Sequence, residues 1–460
     1  MEIIVVIPAL IAFLIAFQGS PAEAFMKVYL PVLLLIPDYY RWYAIGLPDP
    51  TFSQATIIPI AAVFLFNGGF SQWRWSIMDF LVIGYASWIA YSEYTNTNYK
   101  EAQNLMFGML ALVILPYMLA KGLIEPYNLR YQFARRAVFL MFIVACISVF
   151  EFKMGQNPFQ MIWGKFFPWQ GLGWVVTIRW GFGRVAGPYA HAILAGIMFS
   201  VAFRLQRWLE WNNAWEPQLK GFEWLPLSKA RILSLGLFGG IFMTLCRGPW
   251  MGSIIAATLT AIGRSPNRKK MIILILVGFV FIGIPAAVSL WSWASVGRDA
   301  ALTETQETAA YRKELIDKYL DIAFEHMWIG WGKNTWPKIE GMPSIDNYYL
   351  LLSLQHGLGA LFLLWSIFFV MMFRLFRRGM KIPQYAIKNS LAFTLLGIYA
   401  AYFITIATVF MGEQTLPLFF IITGWADAYL KQPLESAVST TTTQTSHAPF
   451  QFHRILTPSA

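Results

Sequence analysis

The chain has 460 residues, of which 57% are hydrophobic, 17% aromatic and only 13% charged, with a net charge of +11. Soluble domains carry about 25% charged residues, so a water-facing surface of this size could not be covered and a soluble protein is excluded. The excess Lys and Arg gather in short loops between uncharged runs, which is the habit of membrane proteins and not the footprint of a nucleic-acid binder.

Uncharged runs predict membrane spans near 3–17, 25–37, 54–67, 77–92, 103–120, 137–151, 187–203, 231–246, 249–263, 270–293, 347–373, 389–409 and 416–430. The first two are short for a bilayer core of about 30 Å. One of them is a candidate re-entrant or interfacial segment, so the expected fold is an all-α polytopic membrane protein of 12 or 13 spans. The run from Ile3 to Phe17 precedes Ala22-Glu23-Ala24 but has no basic flank, Glu2 being its one charge; it reads as a membrane helix and not a signal peptide. Cys146 and Cys246 lie in apolar runs without metal-ligand spacing and predict neither zinc nor a disulfide framework.

Basic loops set the orientation. Arg130, Arg135 and Arg136 form one cluster, and Arg204, Arg207, Lys220, Lys229 and Arg231 a second. Arg264, Arg268, Lys269 and Lys270 form a third; Arg374, Arg377, Arg378, Lys381 and Lys388 form the fourth. With the spans above, all four fall on one face, which is read as cytoplasmic. The segments 152–186, 247–248, 294–346 and 410–415 fall on the other. The expected organisation is a transmembrane domain over 1–435 that contains an extracytoplasmic loop at 294–346. The Ser/Thr-rich stretch 436–460 is expected to be a disordered cytoplasmic tail. No internal repeat of the kind found in many transporters is visible.

Three arginines stand on the side where arginines are disfavoured. Arg247 lies between the uncharged runs 232–246 and 248–263, with Gly248-Pro249 turning the chain behind it. It is either a lipid anchor or an anion ligand at the tip of a hairpin. Arg184 lies in the glycine-rich segment from Trp180 to His191, before the span predicted at 187–203. Gly183 and Gly187 let a ligand approach the backbone, and Pro188 suits a first helical turn whose free N–H groups favour anions. His191 then falls in that turn, as a supporting group or a packed polar residue.

The loop is predicted to carry an amphipathic helix at about 308–326. At about 100° per residue, Tyr311, Leu315, Ile316, Tyr319, Ile322 and Ala323 share one arc, while Lys313, Glu314, Asp317, Lys318, Asp321 and Glu325 share the opposite one. Arg312 is the one charged residue inside the apolar arc; Phe324 is the apolar exception outside it. Docking the helix on the membrane domain turns Arg312 inward, where it needs an anion, either a ligand phosphate or a carboxylate of the same chain. Asp346 stands at the mouth of the next span, where a carboxylate serves as a general base or caps the helix. His356 lies further in, as an alternative base or a packed histidine.

Arg312 with Leu315 and Leu320, Gly330-Trp331-Gly332, Asp346-Asn347-Tyr348-Tyr349-Leu350 and Gly357-Leu358-Gly359 resemble the signature of the O-antigen ligase/polymerase superfamily. Cys246-Arg247-Gly248-Pro249-Trp250 resembles its hairpin tip, and Arg184 with Gly187-Pro188 its Arg-x-x-Gly loop. The resemblance spans roughly residues 180 to 365, while the N-terminal third matches in hydropathy alone.

The resemblance implies a GT-C-like, metal-independent, inverting glycosyltransferase without a cofactor, in the bacterial inner membrane with its site facing the periplasm or exterior. The donor would be an undecaprenyl-diphosphate-linked oligosaccharide. The acceptor would be a hydroxyl of another repeat unit for a polymerase, or of lipid A core for a ligase of lipopolysaccharide assembly. Arg184, Arg247 and Arg312 would grip the diphosphate, Asp346 or His356 would be the base, and Asn347 and His191 would support them. The chain has no Asp-x-Asp pair for a divalent metal, and guanidinium groups suit a diphosphate leaving group. One departure stands out: the position of the ligases' His is Asp346 here, which favours a polymerase of exopolysaccharide or O-antigen repeats. The rival classes are a transporter or flippase of an anionic lipid-linked solute, and a structural subunit in which Arg312 is paired within the chain.

Overall fold

The computed structural model describes residues 2–43, 46, 48–71, 73–173, 175–218, 226–342, 344–412 and 414–434. The tail 436–460 and Lys220 lie outside the described residues, as does the side chain of Lys388. The first half of the chain forms α1 (Glu2–Gln18), α2 (21–35), α3 (Phe52–Phe66), α4 (Ile77–Asn96), α5 (Tyr99–Leu123), α6 (Arg130–Met154) and the short α7 (Pro158–Trp163). A two-residue antiparallel pair follows, β1 (Ile178–Arg179) with β2 (Phe182–Gly183). Then come α8 (Ala192–Trp211), α9 (Lys229–Met243), α10 (Arg247–Arg264) and α11 (Arg268–Ala294). The loop helix α12 (Glu304–Glu325), α13 (Tyr348–Lys381), α14 (Ala392–Thr408) and α15 (Thr415–Leu430) complete the order.

The chain is an all-α polytopic membrane protein. Helix dominates because hydrocarbon offers no partner to a backbone N–H or C=O, so each span must satisfy its own. Five helices are long and apolar enough to cross a bilayer, α5, α6, α8, α11 and α13, with shorter apolar helices beside them. The most apolar window of α11 has no buried residues, and Phe281 and Ile282 are 75% and 73% exposed. Only lipid tolerates such a face. Among the described residues, thirteen helical rods coincide with the thirteen uncharged runs. Glu2, at the start of α1, accepts from Gln170 Nε2 (2.8 Å) on one face, and Glu23 and Lys27 of α2 line a cavity with Arg135, Arg136 and Lys229 on the other.

The described basic clusters share that second face. Arg264 stacks on Trp211 (3.8 Å), and Arg268 donates to the carbonyl of Ile382 (3.0 Å). Arg378 donates to the carbonyls of Gln432 (2.9 Å) and Pro433 (2.7 Å). Two buried carboxylates, Asp79 and Asp427, sit among Lys121, Arg374 and Lys431, a network in which each charge has a partner.

Three local expectations are corrected. The helix after the glycine-rich loop starts at Ala192 and not at 187, so Pro188 is not in its first turn and His191 is its N-cap, Nδ1 accepting from Ile193 N (3.1 Å). The cause is Glu151, whose carboxylate binds the N–H groups of Ala186 (3.0 Å) and Gly187 (2.8 Å) and holds the loop out of helix. Asn347, and not Asp346, caps α13, accepting from Tyr349 N (3.0 Å) and Leu350 N (3.3 Å). The loop helix starts at Glu304, four residues before the predicted 308, because Thr303 accepts from Gln306 N (3.2 Å) and so sets its N-terminus. It is clamped by a small core of Leu315, Tyr319 and Ala323 against Met342, Ile345, Leu350 and Leu354.

α13 is broken at Gly357 (φ 74°, ψ 176°). The break frees the carbonyls of Leu354 and Gln355, which accept from Trp331 N and Gly332 N (both 2.8 Å), while Leu358 N donates to Met327 O (2.7 Å). The turn at 327–332 is thereby stitched into a membrane helix. A Cβ at Gly357 would stand 2.0 Å from the Trp328 carbonyl oxygen. Gly357→Ala is therefore expected to cost at least about 2 kcal/mol from the positive φ alone, whereas Gly278→Ala, whose Cβ meets nothing within 4 Å, is neutral or stabilising. Unfolding midpoints of the two purified variants in detergent check this.

Candidate active site

The site is built on the tip between α9 and α10. The chain leaves α9 at Met243, passes Leu245 in the left-handed region (φ 50°) and re-enters helix at Arg247. The buried Cys246 thiol donates to Thr244 O (2.9 Å) and accepts from Arg184 Nη2 (2.9 Å). The β1–β2 hairpin lies on this tip, with Val185 N on Met243 O (3.1 Å) and Arg179 Nη1 on Leu245 O (2.8 Å). Arg247 Nη2 reaches across to Thr305 Oγ1 (2.8 Å) in the first turn of α12. Two turns further along that helix, on the same face as Thr305, stands Arg312.

The structure thus brings Arg184, Arg247 and Arg312 into one neighbourhood with His191 and Asp346. Burial lowers the pKa of the Arg312 guanidinium; Asp346 opposes this, and Arg247 and Arg184 add to it. His191 is pushed down to about 4, first by burial and then by Arg184, with Asp346 pulling it up and Arg312 pressing it down. Asp346 itself is half-buried and accepts from Ser344 Oγ (3.0 Å). Among the described residues, none of the three arginines has a carboxylate within 4.0 Å. The Nε atoms of Arg184 and Arg312 are buried without a partner, and Arg312 makes no hydrogen bond to any described residue. Arg184 and His191 face a cavity of ≈190 Å³ together with Asn157, Gln160 and Thr177.

A fourth guanidinium belongs to the cluster. Burial lowers the pKa of Arg179, and Arg184 and Arg247 lower it further. The spacing of Arg179 and Arg184 matches no helical period, so the sequence reading passed over it. The available signal was Trp180-Gly181 between them, which forms a two-residue turn with both φ values positive (54° and 79°) and folds the two arginines to one place. Glu151 was missed as well, because a lone carboxylate near the end of an apolar run does not announce which backbone it will bind.

His356 is seated elsewhere. Its Nδ1 contacts Ser92 Oγ (3.1 Å), and it lines a second polar cavity of ≈420 Å³ with Glu93, Lys333, Arg41 and Tyr348. Glu93 is fully buried there, Oε2 accepting from Lys333 N (2.8 Å) and Oε1 having no partner. Tyr348, two residues after Asp346, puts this cavity on the same face as the arginines.

Residues 232–365 match the family model described as O-Antigen ligase. The matched segment includes Arg247, Arg312, Asp346, Asn347 and His356, while Arg179, Arg184 and His191 precede it. No curated protein matches the chain.

Because the folded value of His191 lies below the ordinary 6.5, the unfolded chain binds more protons between about pH 6.5 and 4. Its stabilising contribution is complete above that window and is lost as pH falls through it. The difference in thermal midpoint between wild type and His191→Gln, followed from pH 7 to about 4, should shrink steadily; a pH-independent difference would contradict the assignment.

Proposed function

We propose that the chain is a membrane glycosyltransferase-like enzyme of polysaccharide assembly, a reading supported by the match of residues 232–365 to the O-antigen ligase family model, and that it extends a glycan from a polyprenyl-diphosphate-linked donor, undecaprenyl diphosphate being the expected carrier. The carrying observation is the group of four guanidiniums, Arg179, Arg184, Arg247 and Arg312, on one face, with no carboxylate among the described residues within 4.0 Å of any of them. Three of these guanidiniums are partly buried and Arg247 is exposed; cations grouped in this way favour an anion, and a diphosphate gathers negative charge as it leaves.

In this reading the acceptor hydroxyl gives its proton to the Asp346 carboxylate as its oxygen attacks the anomeric carbon. The bond from that carbon to the phosphate oxygen breaks, and the electron pair departs with the diphosphate, stabilised by the arginines. Attack opposite the leaving group inverts the anomeric centre, and guanidinium charge takes the place of a divalent metal. His191, kept neutral, and Asn347, which fixes the start of α13, support the geometry. The described basic clusters lie on the opposite face, which supports an outward-facing site in the inner membrane. Asp346 at the position of the ligases' His supports a polymerase.

The test supplies the purified chain in liposomes with a lipid-diphosphate oligosaccharide and follows product length. Parent enzyme should build ladders, and each Arg→Ala change at 179, 184, 247 or 312 should cost about 10²–10³ in rate. Asp346→Asn should cost about 10²–10⁴, and Lys318→Ala on the exposed face of α12 should leave the rate unchanged. Transfer only when lipid A core is added would make the enzyme a ligase instead. Parent rates in all five site variants would remove the site altogether.

A further inference from the structure

The basic face holds an arginine for which the glycan reaction has no use. Arg204, on the last turns of α8, is only 6% exposed, yet no described residue gives it a hydrogen bond or a carboxylate within 4.0 Å. Its Nε is buried without a partner, and so is that of Arg264 at the end of α10. The two line a cavity of ≈500 Å³ together with Arg207, Trp211, Ala257, Ala261 and Ser265. Among the described residues, the carboxylate nearby is Glu210, and it is already taken by Arg207 and by the Ser234 hydroxyl (3.1 Å). Trp211 lies under Arg264 (3.8 Å) and beside Arg207 (5.5 Å), fixing both guanidiniums at the cavity wall. Neighbouring Arg268 differs, because its two Nη atoms donate to the carbonyls of Gly379 and Ile382, although its Nε is buried without a partner too.

We infer that this cavity is a phosphate-binding site at the membrane–water boundary, occupied by the headgroup of an anionic phospholipid. Two uncompensated guanidiniums around a polar opening require an anion, and their planar forks match phosphate oxygens. The surroundings point to lipid as the carrier. Ile254, Ala257 and Ala261 fall on one stripe of α10, which leads from the cavity towards the bilayer centre and ends on a 65%-exposed isoleucine. Small residues at the cavity and a bare apolar face beyond it leave a track for an acyl chain. Basic pockets between membrane helices on the positive side are where acidic headgroups collect. The inference does not rest on the glycan-transfer reading.

The experiment titrates the purified full chain in neutral detergent with phosphatidylglycerol, phosphatidylcholine or inorganic phosphate and reads the thermal midpoint. Phosphatidylglycerol should raise the midpoint saturably, and phosphatidylcholine should not. Arg264→Gln, at a partly exposed position that does not threaten folding, should weaken the apparent affinity about fivefold, the worth of one arginine near an acidic lipid. Arg204→Gln should do the same, and the double variant should abolish the response. Inorganic phosphate that reproduces the shift and competes with the lipid would identify a soluble ion as the occupant of the same site. No rise with phosphatidylglycerol in the parent, or an equal rise in Arg264→Gln, overturns the proposal even if Arg204→Gln fails to fold.

Discussion

A guanidinium cannot lose its proton at any ordinary pH, so wherever the fold buries one it must also supply negative charge or leave room for it. That constraint orders this molecule. At the basic end, Lys121, Arg374 and Lys431 converge on Asp79 and Asp427, and Arg268 and Arg378 donate to backbone carbonyls. At the other end Glu151 is committed to the backbone of Ala186 and Gly187 and Glu93 to that of Lys333, which leaves Asp346 as the carboxylate facing Arg312 and His191. The arginines there are held in place by neutral partners, a thiol, a threonine hydroxyl and a carbonyl. Such partners fix position without cancelling charge, which is what a preorganised anion site requires.

The scaffold behind them is made rigid by broken helices and not by unbroken ones. Gly357 opens α13 so that its carbonyls pair with the turn at 327–332, and the same turn is pinned from α4 by Ser92, whose hydroxyl binds the Ile329 carbonyl. Irregular backbone at membrane depth survives only when other protein groups satisfy it, and here the Leu354 and Gln355 carbonyls and the Leu358 N–H each have a partner in the turn. With the small core around Leu315 and Tyr319, this stitching sets the tilt of α12 and hence the inward aim of Arg312. The stitching and the arginine cluster are therefore one device: loosening the turn would move Arg312 relative to Arg247 without touching either.

His356 shows how chain position misleads. It lies about two turns into the helix that Asp346 precedes, close enough in sequence to read as an alternative base, yet it faces Ser92 in a different cavity. Its neighbour across that cavity, Glu93, comes from a helix that local sequence gave no reason to associate with it. In the proposed reaction, a donor held by the arginines and an acceptor entering beside Tyr348 would meet near Asp346.

Composition and charge spacing by themselves determined the solvent, the all-helical architecture, the thirteen apolar rods and the sidedness of the basic loops, because each depends on local hydropathy and lipid punishes every exception. They also singled out Arg184, Arg247 and Arg312, since a cation on the wrong face or in an apolar arc is a local anomaly. Only the tertiary structure decided that Arg179 joins them, that the loop helix begins at Glu304 and α8 at Ala192, that Asn347 and not Asp346 does the capping, and that His356 lies apart. Those outcomes turn mostly on pairings between distant groups: the Glu151 carboxylate with the N–H of Gly187, Arg179 with the Leu245 carbonyl, the Gln355 carbonyl with the N–H of Gly332. A hydrogen bond between residues far apart in the chain leaves no period in the sequence, so its partner becomes visible only once the helices are packed.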